Sequence, residues 1–509
     1  MIQLPQKVLT AAQMNAVDRA TIDAGIPGII LMENAAHRAV EFLCEKFAPL
    51  SGQSVVVVCG KGNNGGDGLA VARLLYVRFQ PRELYVVLLV PADQLTGDAA
   101  SNLAMMRACG LEEYREFGLE MRGATLVVDA VLGTGLRGPA TGLALNAIRE
   151  INLSFRRAKV VAIDLPSGLS GDSAVPPGEF VRADATVTFT APKVCHALPP
   201  ARDFMGELQI LPIGSPASLY QADPAIQLAL VTPRSIANIF AKRAPDSNKG
   251  RYGHVLLVAG SRGKAGAAAM AGLAALRSGA GLVTIACPAD CLDAIAAFAP
   301  ELMTVPFSDE ATIRKLASTR TVVAIGPGIG TSDSTRTLVR NLFRDLPLPM
   351  VVDADALNCL AGTDWSGAGH LRILTPHPGE MARLAETTVP EIQADRLTAA
   401  RSMATSRNVT LVLKGHGTLT AFPDGNVWVN PTGSPAMATG GTGDILTGTV
   451  AGLLAQFPNE PNFSTAAGVY LHGLAGELAA KHLSEQVVVA TDLLRYYAEA
   501  IREISNLSY

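Results

Sequence analysis

Residues 54–68 read SVVVVCGKGNNGGDG. After Ser54 the run is wholly apolar and mostly β-branched, which predicts a short strand buried on both faces, as in a parallel sheet. Gly, Asn and Asp then crowd positions 60–68, and an apolar helical stretch follows. Strand, glycine turn and helix together open a βαβ unit. The pattern recurs in ELYVVLLV from Glu83, ATLVVDAV from Ala124, KVVAIDLP from Lys159 and DATVTFT from Asp184, with helical segments between most of them. Ahead of it, TAAQ from Thr10 reads as a capping box and a further helix is expected after Pro27. This rhythm predicts a doubly wound, Rossmann-like α/β domain.

The stretch 211–233, LPIGSPASLYQADPAIQLALVTP, interrupts the rhythm with Pro, Gly and Ser, and a domain boundary is expected near residue 225. Beyond it alternation resumes in HVLLVAGS, LVTIACP, TVVAIGPG, PMVVDADAL, RILTPHP, VTLVLKG and TLTAFPDG. Two α/β domains, 1–225 and 226–509, are therefore expected, in keeping with a chain of 509 residues.

Composition narrows the functional classes. Hydrophobic residues make up 49% and charged residues 17%, so both domains have material for cores. A net charge of −3 gives no electrostatic case for nucleic acid or an anionic membrane. The seven scattered cysteines fit reduced thiols, and Cys287 and Cys291, four apart, have no second pair or nearby His to complete a zinc set. The start lacks a signal-peptide core, and the Ala- and Gly-rich run 265–283 is broken by Arg277 and suits a buried helix. A soluble cytoplasmic protein is expected, with a homo-oligomer as its assembly.

The glycine loop contains G-x-G-x-x-G at Gly60, Gly62 and Gly65. A dinucleotide fingerprint also wants an acid ending the second strand, yet Glu83 precedes that strand. Asn63, Asn64 and Asp67 instead fill the loop with short polar side chains that accept hydrogen bonds or ligate a cation; a tight turn with Asx caps is the alternative. Asp129 and Asp164 end two further strands beside glycine turns. Ligands of open α/β sheets bind beyond the strand carboxyl ends, so Asn64, Asp129, Asp164 and Ser167 should converge on one crevice.

The motifs GNNGGDG, VDAVLGTGLRG and DLPSG, in this order, resemble the epimerase domain of the bifunctional NAD(P)H-hydrate repair enzymes. The resemblance implies that this half epimerises hydrated NAD(P)H around a potassium ion. It makes Asn64, Asp129 and Ser167 the K⁺ ligands. Asn63, Asn64, Gly65, Gly66 and Asp67 become substrate contacts, as do Gly133, Thr134, Gly135, Leu136, Arg137, Gly138, Pro139 and Asp164. Asp164 is also the catalytic candidate of this half. One departure is MENAAH, where Ala36 stands in place of an expected Gly. It falls on a helix rather than in the motif loops.

In the second half, residues 437–448 read MATGGTGDILTG. Glycines ahead of an apolar run open a helix whose N–H groups hold an anion, yet Asp444 places a carboxylate at the same spot. Phosphoryl transfer explains the pairing: Gly440, Gly441, Thr442 and Gly443 form the anion cradle and Asp444 is the base for the acceptor hydroxyl. The plainer alternative is a first-turn acid stabilising the helix dipole. Lys414 ends the strand VTLVL, where a buried ammonium needs an anion. GGTGD resembles the anion hole of ribokinase-like enzymes. With GPGIG, DADALN, TPHPGE and KGHGT, the set resembles the ADP- or ATP-dependent NAD(P)H-hydrate dehydratases. Ile329 in GPGIG replaces a commoner Leu. By this resemblance Ala267, Gly328, His377 and Asp444 contact substrate, while Lys414, Gly415, His416, Gly417, Thr418 and Gly443 contact the nucleotide. His377 lies between prolines in a loop, which argues against the alternative of a core histidine.

The implied function is repair of hydrated NADH and NADPH (NADHX and NADPHX). The first half interconverts the C6 epimers. The second dehydrates the S epimer while consuming ADP or ATP with Mg²⁺. A ribokinase-like small-molecule kinase fused to a non-catalytic binding module is the competing reading.

Overall fold

The computed structural model describes residues 4–367 and 369–506. The chain divides into two compact units, Lys7–Ile226 and, for the most part, Gln227–Tyr509.

In the first unit the capping box at Thr10 forms as the sequence predicts: the Thr10 hydroxyl accepts from Gln13 N at 3.2 Å and Gln13 Oε1 accepts from Thr10 N at 2.9 Å. The helix after Pro27 runs Gly28–Phe47. Seven strands form one sheet, in the order Glu113–Tyr114, Glu83–Leu88, Ser54–Cys59, Leu126–Ala130, Lys159–Ile163, Ala185–Phe189, Glu207–Leu211. Every pairing is parallel. The fully buried strand Ser54–Cys59 serves two cores at once. Val55, Val57 and Cys59 join Leu31, Ala35 and Leu69 on one face, while Val56 and Val58 join Ile148 and Ile151 on the other. A period of two with both faces covered leaves no polar position, hence the unbroken apolar run.

The second sheet runs Leu228–Leu230, Val427–Val429, Leu419–Ala421, Thr410–Leu413, Arg372–Leu374, Met350–Val352, Val322–Ile325, His254–Val258, Leu282–Cys287, Met303–Pro306. Pairings are parallel from Thr410–Leu413 through to Met303–Pro306. Leu419–Ala421 runs antiparallel to both its neighbours. Helices Ala265–Arg277 and Thr442–Gln456 bury their small and apolar residues against it.

Five of these strands were not legible as such: Glu113–Tyr114, Glu207–Leu211, Leu228–Leu230, Met303–Pro306 and Val427–Val429. Leu228–Leu230 lies inside the stretch read as a break; its three residues are fixed by parallel pairing with Val427–Val429. Arg372 opens a central strand and is fully buried. Its guanidinium donates to Phe343 O at 2.7 Å, Leu346 O at 2.6 Å and Leu348 O at 2.9 Å, satisfying carbonyls at and beyond a helix end. No helix among the described residues is long and apolar enough to cross a membrane.

Candidate active sites

In the first unit, strand order reverses between Ser54–Cys59 and Leu126–Ala130, and open sheets bind ligands at such a reversal. A cavity of about 550 Å³ opens there. Its wall includes Asn63, Asn64 and Asp67 from the first turn of helix Asn63–Phe79, Gly133 to Arg137 from the next loop, and Asp18, Asp164, Thr190 and Lys193. Beneath it lies Asp129, fully buried. Its carboxylate accepts from Ser167 N at 2.8 Å, Ser167 Oγ at 2.5 Å and Val131 N at 3.2 Å. Burial pushes the Asp129 carboxyl up to about 6 against these hydrogen bonds. Asn64 is buried, yet neither its amide oxygen nor its amide nitrogen has a partner.

Asp164 and Thr190 follow neighbouring strands and share an uncommon backbone. Both have positive φ, +67° and +64°. Each is spanned by an i to i+2 hydrogen bond, Leu165 N to Ile163 O at 2.9 Å and Ala191 N to Phe189 O at 2.7 Å. These are γ-turns of the rarer, strained hand, and strain of this kind concentrates at functional sites. Asp164 Oδ1 accepts from the buried Lys193 ammonium at 2.7 Å and from Thr188 Oγ1 at 3.1 Å. Burial alone would raise the Asp164 carboxyl, but Lys193, with smaller help from His196 and Thr188, holds it below the usual range. Two other carboxyls of the cavity shift the opposite way. Burial drives Asp67 well above its ordinary value, reinforced by Asp164 and Asp18, and pushes Asp18 up to about 6. One wall thus presents a carboxylate held ionised beside two carboxyls whose proton affinity is raised.

Not every predicted residue reaches this wall. Gly65 and Gly66 sit in the packing beneath it: a Cβ on Gly65 would lie 2.0 Å from Gly60 O, and one on Gly66 2.8 Å from Met32 Sδ. Gly138 and Pro139 are outside the cavity wall, with Pro139 against Gly178. Asp18, Thr190 and Lys193 were missed. Lys193 carried a usable signal, a lysine just past a buried strand; Asp18 lies on a helix and carried none.

In the second unit, strand order reverses between His254–Val258 and Val322–Ile325. The segments after these strands meet: a Cβ on Gly328 (φ +63°) would lie 3.3 Å from Ala267 Cβ. Gly441, with φ +96°, starts helix Thr442–Gln456, and no side chain caps that helix. A Cβ on Gly441 would lie 2.6 Å from Met270 Cε. The amides at the start of this helix therefore have no side-chain cap. His472, buried and held neutral with its pKa lowered to about 4, pairs through Nε2 with Thr442 O at 2.9 Å.

Asp444, in that first turn, is pushed up to about 7 by burial. Asp353, Asp355 and Glu380 add to the rise and Lys414 opposes it. Lys414 meets its anion inside the protein: its ammonium donates to Asp353 Oδ1 at 2.9 Å and lies 3.7 Å from Glu380 Oε2. Burial acts to lower the ammonium, but Asp353 and Glu380 hold it above its ordinary value. His377 is half exposed and caps helix Pro378–Leu384, its Nδ1 accepting from Gly379 N at 3.0 Å, so the core-histidine reading fails. The hydroxyls of Thr418 and Thr442 are taken up locally, by Gly415 O and by Met437 O and Thr439 O. Arg396 props the 414–418 turn through Lys414 O at 3.2 Å and through His416 O. A cavity of about 540 Å³ elsewhere in this unit, near Phe298 and Tyr497, contains none of the predicted residues. Asp353, Glu380 and Thr447 were missed as individuals, although DADALN and TPHPGE marked their neighbourhood.

The architecture is that of an α/β protein whose first unit is doubly wound and whose second is ribokinase-like. A family model described as the N-terminus of YjeF-related proteins matches residues 28–195, and one described as NAD(P)H-hydrate dehydratase matches 255–499. The bifunctional NAD(P)H-hydrate repair enzyme of Moorella thermoacetica is 40% identical over 98% of this chain and 97% of its own length. That of Escherichia coli is 33% identical over 97% and 93%. A ribokinase-like superfamily protein of Enterococcus faecalis superposes with TM-score 0.50 at 29% identity, over 55% of this chain and 97% of its own. The ADP/ATP-dependent NAD(P)H-hydrate dehydratase of Bacillus subtilis, co-crystallised with ATP/Mg²⁺, gives 0.49 at 34% identity, over 54% and 98%. The chain belongs to the family of bifunctional NAD(P)H-hydrate repair enzymes.

Replacing Lys193 by Met tests the electrostatics of the first site. With the ammonium gone, the Asp164 midpoint in a ¹³C-carboxyl NMR titration should move up, above the ordinary carboxylate value. The unpaired buried carboxylate should cost about 3 kcal/mol of stability at neutral pH. An unmoved midpoint would show that Lys193 does not set the charge of Asp164.

Proposed function

We propose that the chain repairs hydrated NADH and NADPH, residues 1–225 acting as the epimerase domain and 226–509 as the dehydratase domain. The observation that carries the reading is the pairing, within the second unit, of an uncapped helix N-terminus with Asp444, a carboxyl poised near neutrality. A base works best when its pKa lies near the operating pH.

In the dehydratase unit, Gly440 to Gly443 cradle the transferring phosphoryl group with main-chain amides. Residues 414–418 border the nucleotide, and Ala267, Gly328 and His377 border the nicotinamide. Asp444 takes the proton of the C6 hydroxyl as its oxygen attacks phosphorus and the nucleotide leaves. The C6–O bond then breaks with phosphate as leaving group, a C5 proton is lost and the C5=C6 double bond of NAD(P)H is restored. Water would be a poor leaving group; phosphate is a good one. Mg²⁺ would come in on the nucleotide phosphates and neutralise their charge.

In the epimerase unit the ring enters the cavity beside Asp164, held ionised by Lys193 as proton acceptor. Asn63, Asn64, Asp67 and residues 133–137 surround the ring. The unpartnered buried oxygen of Asn64 fits a potassium ion shared with Asp129 and Ser167. All of these donors are oxygens, as such an ion prefers. Bound there, K⁺ supplies charge that ties the 63–67 and 129–133 segments together. Localisation in the cytoplasm and a homo-oligomeric assembly complete the proposal.

Incubating the protein with hydrated NADH and either ADP or ATP, and following recovery of reduced-nicotinamide absorbance, tests the whole reading. A stable phosphorylated product without NADH would favour the kinase alternative. Asp444→Asn should lower the dehydratase rate by about 10² or more while nucleotide affinity holds or tightens. A near-normal rate with a slightly lower melting temperature would leave Asp444 as a helix-stabilising acid. Asp129→Ala should weaken epimerisation and its dependence on K⁺, yet spare dehydration of the S epimer. Equal loss of both activities in a folded protein would contradict separate sites.

A further inference from the structure

Asp353 has no role in the reaction as described, yet both of its carboxylate oxygens are taken by side chains of the dehydratase site. It follows strand Met350–Val352 and is 1% exposed. Oδ1 accepts from Lys414 Nζ at 2.9 Å and Oδ2 accepts from Thr447 Oγ1 at 2.6 Å. Lys414 follows strand Thr410–Leu413, and Thr447 lies on helix Thr442–Gln456, one turn beyond Asp444. A single carboxylate therefore ties together three separate elements. Its own strand end is fixed in turn: Asp353 N donates to Ile325 O at 3.1 Å, and a Cβ on Gly326 would lie 1.8 Å from Asp353 O.

Resting on the dehydratase reading above, we infer that Asp353 is the positioning residue of this site. One carboxylate oxygen holds Lys414 beside the anion cradle, and the other holds the helix that carries the catalytic Asp444. Thr447 Oγ1 has only one further acceptor, Gly443 O at 3.2 Å, so Asp353 is what this buried hydroxyl is aimed at. Lys414 Nζ lies 3.4 Å from where a Gly443 Cβ would stand, which places the ammonium alongside the first turn of the helix. Substituting Asp353 releases both contacts, and misplacement by about 1 Å at a phosphoryl-transfer site costs up to about 10²-fold in rate.

The clamp also acts through charge. The groups that face Asp444 are Asp353, Asp355 and Glu380, which raise its proton affinity, and Lys414, which lowers it. Neutralising Asp353 removes one negative charge that holds the proton on Asp444. It also frees Lys414, bound on its other side only by Glu380, to turn toward Asp444. Both changes lower the pH at which Asp444 becomes a competent base. Since the base must be deprotonated, the acid limb of the rate profile moves to lower pH.

The experiment is a pH profile of dehydratase kcat/KM with hydrated NADH and saturating nucleotide, for wild type, Asp353→Asn and Thr447→Val, with melting temperatures. Asp353→Asn should shift the acid limb down by about one unit or more and lower the maximal rate at least about tenfold. Thr447→Val removes one arm of the clamp without changing charge. It should lower kcat while leaving the acid limb and the nucleotide KM in place. An Asp353→Asn protein that folds and keeps both the wild-type limb and the wild-type rate overturns the inference. Should that variant fail to fold, Thr447→Val decides: an unchanged kcat overturns it. Wild-type protein that regenerates no NADH with either nucleotide would instead refute the underlying dehydratase reading.

Discussion

A lysine ammonium buried at the end of a parallel strand must meet a carboxylate, and both units are built around that requirement. In the first, Lys193 follows Ala185–Phe189 and reaches Asp164 at the end of the neighbouring strand. In the second, Lys414 follows Thr410–Leu413 and reaches Asp353, two strands away across Arg372–Leu374. Breaking a buried pair on one side costs about 3–5 kcal/mol because the remaining charge stays desolvated. Each pair therefore ties together the segments that follow two interior strands of its sheet. Around each pair burial raises the proton affinity of other carboxyls, Asp18 and Asp67 in the first unit and Asp444 in the second.

Glycine supplies the closeness that these pairs need. A Cβ on Gly60 would fall 1.9 Å from Val131 O, as one on Gly326 would from Asp353 O at 1.8 Å. In both units a glycine ending one strand at the sheet reversal lets the segment after the adjacent strand pass against its backbone. The reversal opens the crevice, the glycines narrow it, and the buried lysines set its electrostatics. The two sites then diverge in chemistry. The first keeps a fully buried Asp129 under an unpartnered Asn64, an environment short of positive charge. The second leaves a helix N-terminus without a side-chain cap and sets Asp353, Glu380 and Asp444 about the Lys414 ammonium, with Asp355 paired to Lys264.

The sequence by itself determined the alternation of strands and helices, the division between the units, the glycine turns and the strand-end carboxylates. These are local properties: a strand buried on both faces must be apolar throughout, and a turn needing positive φ or close approach must be glycine. Edge strands such as Leu228–Leu230 stayed hidden because pairing, not composition, fixes them. Tertiary structure alone decided which charges meet. Lys414 and Asp353 are 61 positions apart, and Asp164 and Lys193 are 29. A lone Asp or Lys past a strand reads the same whether it caps a helix, binds a ligand or finds a buried partner. Only the fold brings Thr447, Asp353 and Lys414 into one line, and chiefly burial moves the Asp444 carboxyl from an ordinary first-turn acid up to about 7. Desolvation and charge coupling depend on every neighbouring atom, and that information is not carried by any short stretch of the chain.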